Sequence, residues 1–281
     1  MNFAMRVRAF AKINRSLRVL ATRSDGYHEL RTIFQSIALH DTLTIRRARG
    51  RFQLTCDDPA CPTDGTNLIA RAAEQLWHAA GRRGAPRDVA IDLEKKIPMQ
   101  AGLGGGSSDA AAALRALAAR WRVGQSQVRT VAAALGADVP YFLEGGSVLG
   151  LERGDLLFRL ADPPPAWVVL VIPDFGVSTS EAFAWFDATA PGKGAAARGE
   201  LVNDLEAPVA ARHPEIGRII SALRRAGASQ AAMSGSGSAV FGLFPSRPGA
   251  IRAAARLRSR AQKTLVTRTL NHQKYQRLAA T

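Results

Sequence analysis

Arginine and apolar residues alternate through residues 5–11 and again through 16–21, the period of strands with one buried face. Asp25-Gly26 follows as a turn signal. Alternation returns at 42–47, Gly50 interrupts it, and 51–55 predicts a further strand. Asp64 to Asn67 offers helix caps, and the spacing from Leu68 to Ala80 predicts a helix. Residues 89–93 form a short apolar strand leading into Lys95-Lys96-Ile97-Pro98. After a glycine-rich run at 102–106, Ser107 or Ser108 caps a helix through Arg120, and a second helix covers Ser126 to Leu135. Strands near 146–150 and 156–160 precede Asp162-Pro163-Pro164-Pro165, a stiff segment that reads as a linker. Beyond it the pattern predicts a buried strand at 167–172, helices at 200–212 and 214–226, and strands at 229–233 and 239–244. A basic helix at 247–261 and a strand at 264–269 complete the order. Strands and helices mix without strict alternation, which makes the fold class α+β.

Composition narrows the function. At 47% hydrophobic residues over 281 positions, the chain can bury a sizeable core and has room for two domains. No apolar run approaches the ~18 residues of a membrane span, and residues 1–13 lack the unbroken apolar stretch of a signal peptide, so the expected location is cytoplasmic. Cys56 and Cys61, with no histidine near them, make neither a disulfide scaffold nor a zinc site. Lysine and arginine number 38 against 23 acids, a net charge of +15. No acid follows Glu215, while residues 216–281 carry twelve of the cations. A nucleic-acid surface, an attraction for phosphorylated substrates and a solvated arginine-rich surface all fit that excess. Aromatic residues, 6% of the chain, offer no evident stacking platform for single strands.

The richest chemistry lies in Pro98-Met99-Gln100-Ala101-Gly102-Leu103-Gly104-Gly105-Gly106-Ser107-Ser108-Asp109. Glycines allow positive φ and close approach of backbone to a ligand, and the following helix aims free N–H groups at the loop. The segment from Pro98 to Ser108 is therefore a candidate phosphate cradle, the two serines adding hydroxyls. It lacks the Gly-Lys-Ser/Thr of a Walker loop, and a dinucleotide fingerprint would want a smaller residue than Ser107. Asp174-Phe175-Gly176 imitates a protein-kinase tripeptide without a preceding His-Arg-Asp. Elsewhere, Lys12 and Asn14 occupy alternate positions of a strand, hence one face. Leu135-Gly136-Ala137-Asp138-Val139-Pro140 ends a helix and presents one carboxylate, and Met233-Ser234-Gly235-Ser236-Gly237-Ser238-Ala239 is a second glycine-rich turn.

The order of these segments resembles the GHMP family of small-molecule kinases. Ala11-Lys12-Ile13-Asn14, Asp25-Gly26-Tyr27-His28-Glu29-Leu30, Thr32 to Gln35, Gly65 to Ile69, Pro98 to Ala113, Gly136 to Pro140 and Ser234 to Val240 carry the resemblance. It runs from about residue 8 to 270. The Asp-Gly-Tyr-His-Glu segment looks like the branch that phosphorylates a cytidine diphosphate-linked methylerythritol in the non-mevalonate isoprenoid pathway. Homoserine or mevalonate is the alternative type of acceptor.

The resemblance implies an ATP-binding domain over residues 1–161 and a ferredoxin-like domain over 162–281, with the site between them. It implies ATP as phosphoryl donor, magnesium arriving with the triphosphate without a recognisable set of protein ligands, and small-molecule partners rather than membrane or nucleic acid. Lys12 and Asp138 match the catalytic pair. Asn14, Tyr27 and His28 match positions near the substrate, and Phe183 or Trp185 would stack on the cytosine. Departures are Arg15-Ser16, where the family has apolar residues, Gln100-Ala101, where some relatives have glycines, and a basic tail at 271–281.

Overall fold

The computed structural model describes residues 4–24, 26–189, 202–258 and 262–280. Asp25, the first residue of the expected turn, lies outside them.

The chain opens on two long antiparallel strands, β1 (Met5–Thr22) and β2 (His28–Arg51). The two strand segments expected at 5–11 and 16–21 are one strand, and β2 extends well upstream of the alternation at 42–47. The physical reason is that β1 is covered on both faces at its centre. Residues 9–14 are buried without alternation, so the period-two signal vanishes where the strand runs deepest. β2 serves two further partners in turn. Its first half pairs with β5 (Ser147–Glu152), its second with β4 (Arg87–Glu94). β3 (Gln53–Cys56) and β6 (Leu156–Arg159) complete a six-stranded sheet.

Against this sheet packs α2 (Gly105–Trp121), and around α2 pack α1 (Leu68–Ala79), α3 (Gln125–Leu135) and α4 (Val139–Glu144). The alanine content of α2 follows from its central position. Ala110 to Ala113 are all inaccessible to solvent, and small side chains let the helix sit close to its neighbours. At its far end Trp121 meets Trp77 of α1 edge-on, ring centroids 5.2 Å apart. The segment around Pro140 reads as a turn in sequence but begins α4, because proline in the first helical turn removes no needed hydrogen bond.

The second half contains β7 (Trp167–Pro173), α5 (Thr179–Thr189), α6 (Glu206–Arg212), α7 (Glu215–Arg225), β8 (Gln230–Met233), β9 (Val240–Phe244), α8 (Arg247–Arg256) and β10 (Gln262–Arg268). Its strands are antiparallel in the order β10-β7-β9-β8. That is the βαββαβ arrangement of a ferredoxin-like unit. α6 starts later than the helix expected at 200–212, since Asn203 instead forms a β-bridge with Leu17. The two sheets share a core, as Ala11, Ile13 and Ile37 of the first pack with Val168, Leu170 and Phe241 of the second. No helix of the described residues is long and apolar enough to cross a membrane.

The basic tail is not a loose appendage. Its residues form α9 (His272–Ala279), started by Asn271, whose side chain accepts from the Lys274 N–H. Buried Tyr275 donates to the Phe142 carbonyl at 2.6 Å, and Gln276 donates to the carbonyls of Leu143 and Glu144 at 3.0 and 2.6 Å. These are end-of-helix carbonyls of α4, which a six-residue helix cannot satisfy itself. Since α4 begins beside Asp138, the tail helps to hold a candidate catalytic residue. Tyr275→Phe is expected to lower stability by about 1–2 kcal/mol with the fold retained, measured as a shift of the urea midpoint.

Candidate active site

The glycine-rich segment is held by its carbonyls. Ala101 C=O accepts from the Ala239 N–H at 3.2 Å, Gly102 C=O from the Ser234 hydroxyl at 2.9 Å, and Leu103 C=O from the Lys12 N–H at 3.0 Å. The side chains of Ala101 and Leu103 are buried. With its carbonyls turned into the protein, the loop leads directly into α2. Gly104 is the N-cap, and the first helical bond of α2 runs from the Ser108 N–H to the Gly104 carbonyl at 2.9 Å. The N–H groups of Gly104, Gly105, Gly106 and Ser107 therefore point out of the helix end, the arrangement that binds an anion.

Two sequence expectations need correction here. Ser108 contributes no donor, because its N–H is in the helix and its hydroxyl donates to the Phe10 carbonyl at 2.7 Å. The helix cap expected at Ser107 or Ser108 is Gly104 instead, and positive φ belongs to Gly102 (+71°) and Gly104 (+72°). At Gly102 the need for glycine is doubled, since a Cβ would stand 2.0 Å from the Ser234 carbonyl oxygen. Pro98 is half-buried, while Met99 and Gln100 lie exposed at the approach to the loop.

Beside the loop stands Lys12, its side chain 5% exposed. Its ammonium donates to Asn14 Oδ1 at 2.5 Å and lies 3.6 Å from Asp138 Oδ2. Asp138 sits at the N-terminal end of α4 and stays one-third exposed, so it can meet a ligand. Gly235 of the second glycine-rich turn closes over Lys12 and Asn14. A Cβ there would stand 3.2 Å from Asn14 Oδ1 and 3.3 Å from Lys12 Nζ. The turn is braced by Asn203, whose amide donates to the carbonyls of Met233 and Gly235 at 2.9 and 2.8 Å. Sequence reasoning missed Asn203, and nothing local distinguishes it from other polar residues.

At the end of the β1–β2 pair, where His28 lies opposite Thr22, is the segment that begins at Tyr27. Tyr27 is 57% exposed, with the Arg153 guanidinium 5.3 Å from its ring centre. His28 stacks on Phe183 of α5 at 4.6 Å and bonds through Nε2 to Asp187 at 2.8 Å. Of the two expected aromatics, the one brought to this segment is thus Phe183, joined by Phe186, which meets His28 edge-on at 6.4 Å. Trp185 faces away, against Arg212 at 4.8 Å and His213 at 5.9 Å.

Behind the loop is a buried charge cluster that the motif reading did not find. Lys95 donates to Asp41 at 2.5 Å and to Asp109 at 2.8 Å. Asp41 also accepts the N–H groups of Lys96 and Ile97, whereas Asp109 leaves Oδ1 buried without a partner. Burial would lower the lysine, but its two carboxylates outweigh that and raise it. Burial, opposed by Lys95 and helped by Asp41, pushes Asp109 up to about 8. A carboxylate so enclosed does not fit a magnesium ligand. Among the described residues no group of three or more acidic, histidine or cysteine side chains gathers to hold a metal. Both cysteines are free thiols, and burial, with Cys56 beside it, pushes Cys61 up to about 12.

Residues 67–146 match the GHMP kinases N terminal domain and residues 181–263 the GHMP kinases C terminal family. A 4-diphosphocytidyl-2-C-methyl-D-erythritol kinase of Moorella thermoacetica is 43% identical, the match covering 93% of this chain and 98% of that protein. The protein of that name from Pelotomaculum thermopropionicum is 44% identical over 94% and 97% of the two chains. A crystal structure of 4-(cytidine 5'-diphospho)-2C-methyl-D-erythritol kinase superposes with a TM-score of 0.80 at 35% identity, covering 94% of this chain and 99% of that one. Homoserine kinase from Cytophaga hutchinsonii, at 18% identity and a TM-score of 0.69 over 96% of both chains, shares the fold.

The charge cluster makes a pH-dependent expectation. Asp109 binds its proton more tightly folded than unfolded, so the contribution is full below about pH 4, the unfolded value. It is lost as pH rises through about 8. Asp109→Asn copies the protonated acid and cannot titrate. The stability advantage of wild type over this variant is therefore expected to shrink between pH 5 and pH 9, measured by urea unfolding across that range.

Proposed function

The chain belongs to the 4-diphosphocytidyl-2-C-methyl-D-erythritol kinases of the GHMP family, and we propose that it performs their reaction with Lys12 and Asp138 as its catalytic pair. The substrate is the cytidine diphosphate-linked methylerythritol of isoprenoid biosynthesis, and the donor is ATP. In the transfer, the 2-hydroxyl oxygen bonds to the γ-phosphorus, the bond from that phosphorus to the β–γ bridging oxygen breaks, and ADP leaves. The hydroxyl proton goes to Asp138.

The observation that carries this reading is the Lys12–Asp138 pair, 3.6 Å apart, next to a helix start with four outward N–H groups. The ammonium orients the carboxylate and offsets negative charge on the migrating phosphoryl group. The N–H groups of residues 104–107 take the ATP phosphates and fix the γ-phosphorus for in-line attack. Pro98 to Leu103 shape the approach to that cradle, with Met99 and Gln100 on its open side. Magnesium would come with the nucleotide, and no residue here is assigned to it.

Tyr27 and the His28–Phe183 stack form the cytidine end, with Asn14 between it and the reacting hydroxyl. We put the domain division at 161/162, at the proline segment between β6 and β7. Phosphate-bearing ligands suit the positive charge of the chain, which raises their encounter rate.

Asp138→Asn is expected to reduce kcat by about 10²- to 10⁴-fold while the KM for ATP changes little. Lys12→Met should be comparably damaging, and the double variant no worse than the poorer single one, because the two act as a unit. Coupled ATP-consumption assays on the cytidine substrate, homoserine and mevalonate check this. Near-normal turnover of Asp138→Asn removes the catalytic assignment, and turnover of homoserine alone removes the substrate. Tyr27→Ala is expected to raise the KM for the cytidine substrate about ten- to hundredfold, leaving that for ATP unchanged.

A further inference from the structure

A hydrogen-bonded chain leads away from Lys12 into the protein. The Lys12 ammonium donates to Asn14 Oδ1 at 2.5 Å, Asn14 Nδ2 donates to Thr32 Oγ1 at 2.7 Å, and Thr32 Oγ1 donates to the Ser16 carbonyl at 2.8 Å. Asn14 is 2% exposed and Thr32 1%. Each end of this chain allows only one direction. An ammonium has no lone pair and must donate; a carbonyl has no proton and must accept. The single hydroxyl proton of Thr32 is spent on Ser16, so toward Asn14 the hydroxyl can only accept. Asn14 must then offer its NH₂ to Thr32 and its oxygen to Lys12.

We propose that Thr32 is a positioning residue for phosphoryl transfer, acting through the Asn14 amide to fix where the Lys12 ammonium stands. The inference rests on the reading of Lys12 and Asp138 given above. Thr32 touches neither reactant, being buried beneath Asn14. Without its hydroxyl, the amide loses the partner that holds its NH₂ away from the lysine. A rotated amide would turn two N–H donors toward a group that also only donates, and Lys12 would move off both Asn14 and Asp138. The backbone carbonyl of Ser16 is a suitable anchor because β1 and β2 pair around it, Ser16 opposite Ile33 and Leu17 opposite Thr32. One proton of Lys12 is thereby committed, and its remaining protons face Asp138 and the incoming phosphoryl group.

Thr32→Val keeps the shape and removes the hydroxyl, while Thr32→Ser keeps the hydroxyl and removes the methyl. Thr32→Val is expected to lower kcat about ten- to hundredfold with the KM for ATP within about threefold of wild type, and Thr32→Ser to recover most of the loss. In a Lys12→Met background, Thr32→Val should cost nothing further, because the group it positions is gone. Wild-type kcat in Thr32→Val, equal damage from Thr32→Ser, or an undiminished loss in the Lys12→Met background would each overturn the proposal. Should Thr32→Val not fold, the wild-type protein carries the test. The Asn14 side-chain amide protons, seen by NMR, are then expected to exchange with solvent far more slowly than a free amide, and exchange at the free rate overturns it. Failure of the catalytic reading itself shows separately, as near-normal turnover of Asp138→Asn with the amide still protected.

Discussion

The carbonyls of Ala101, Gly102 and Leu103 each receive a donor from far along the chain: Ala239 and Ser234 at the two ends of the second glycine-rich turn, and Lys12 at the centre of β1. Three bonds so distributed hold the loop's acceptors inward. The donors of the following residues then have no partner except what enters the cleft. Most of the site follows from this constraint. Lys12 lies beside the loop because its own N–H is one of the three donors. Asn14 is anchored to the second turn because its N–H donates to Ser234 at 3.2 Å, the same hydroxyl that holds Gly102. Both glycine-rich turns need glycine at their contact, where a side chain on Gly102 would collide with the Ser234 backbone.

Two buried lysines flank the loop and differ in use. Lys12 faces the cleft with one amide acceptor and a partly exposed carboxylate that remains available to a substrate. Lys95 sits behind the loop, held between two enclosed carboxylates. A buried ammonium without partners is costly, so each needs its acceptors. The arrangement of those acceptors decides whether charge is left over for a ligand. At Lys95 none is left over, since burial pushes Asp109 up to about 8 and leaves its acid protonated at neutral pH. At Lys12 the Asp138 carboxylate is balanced, while an incoming phosphate finds further positive potential from the helix end.

The C-terminal helix carries a related lesson about charge. Its residues belong to the acid-free, arginine-rich end of the chain, which by composition alone reads as a nucleic-acid or solvated surface. Yet Tyr275 is buried, and with Gln276 it satisfies the open carbonyls of α4. The cations of this segment ride on a structural element whose buried face is uncharged.

The sequence by itself determined the α+β class and singled out the glycine-rich loop, with Lys12, Asn14 and Asp138 as candidates whose roles came from the resemblance to the kinase family. It could do so because glycine runs, helix starts and alternating strands are local, and their spacing is written in consecutive positions. Tertiary structure alone decided which donors remain free. Ser107 and Ser108 are indistinguishable in sequence, yet only the second is consumed by Phe10 across the sheet. Phe183 and Trp185 are two positions apart on one helix, and only packing sends the first to His28 and the second to His213. Asp41, Lys95 and Asp109 come from a strand, a loop and a helix that no local pattern connects. The continuity of β1 through residues 9–14 was illegible because a strand buried on both faces has no polar face to mark its period.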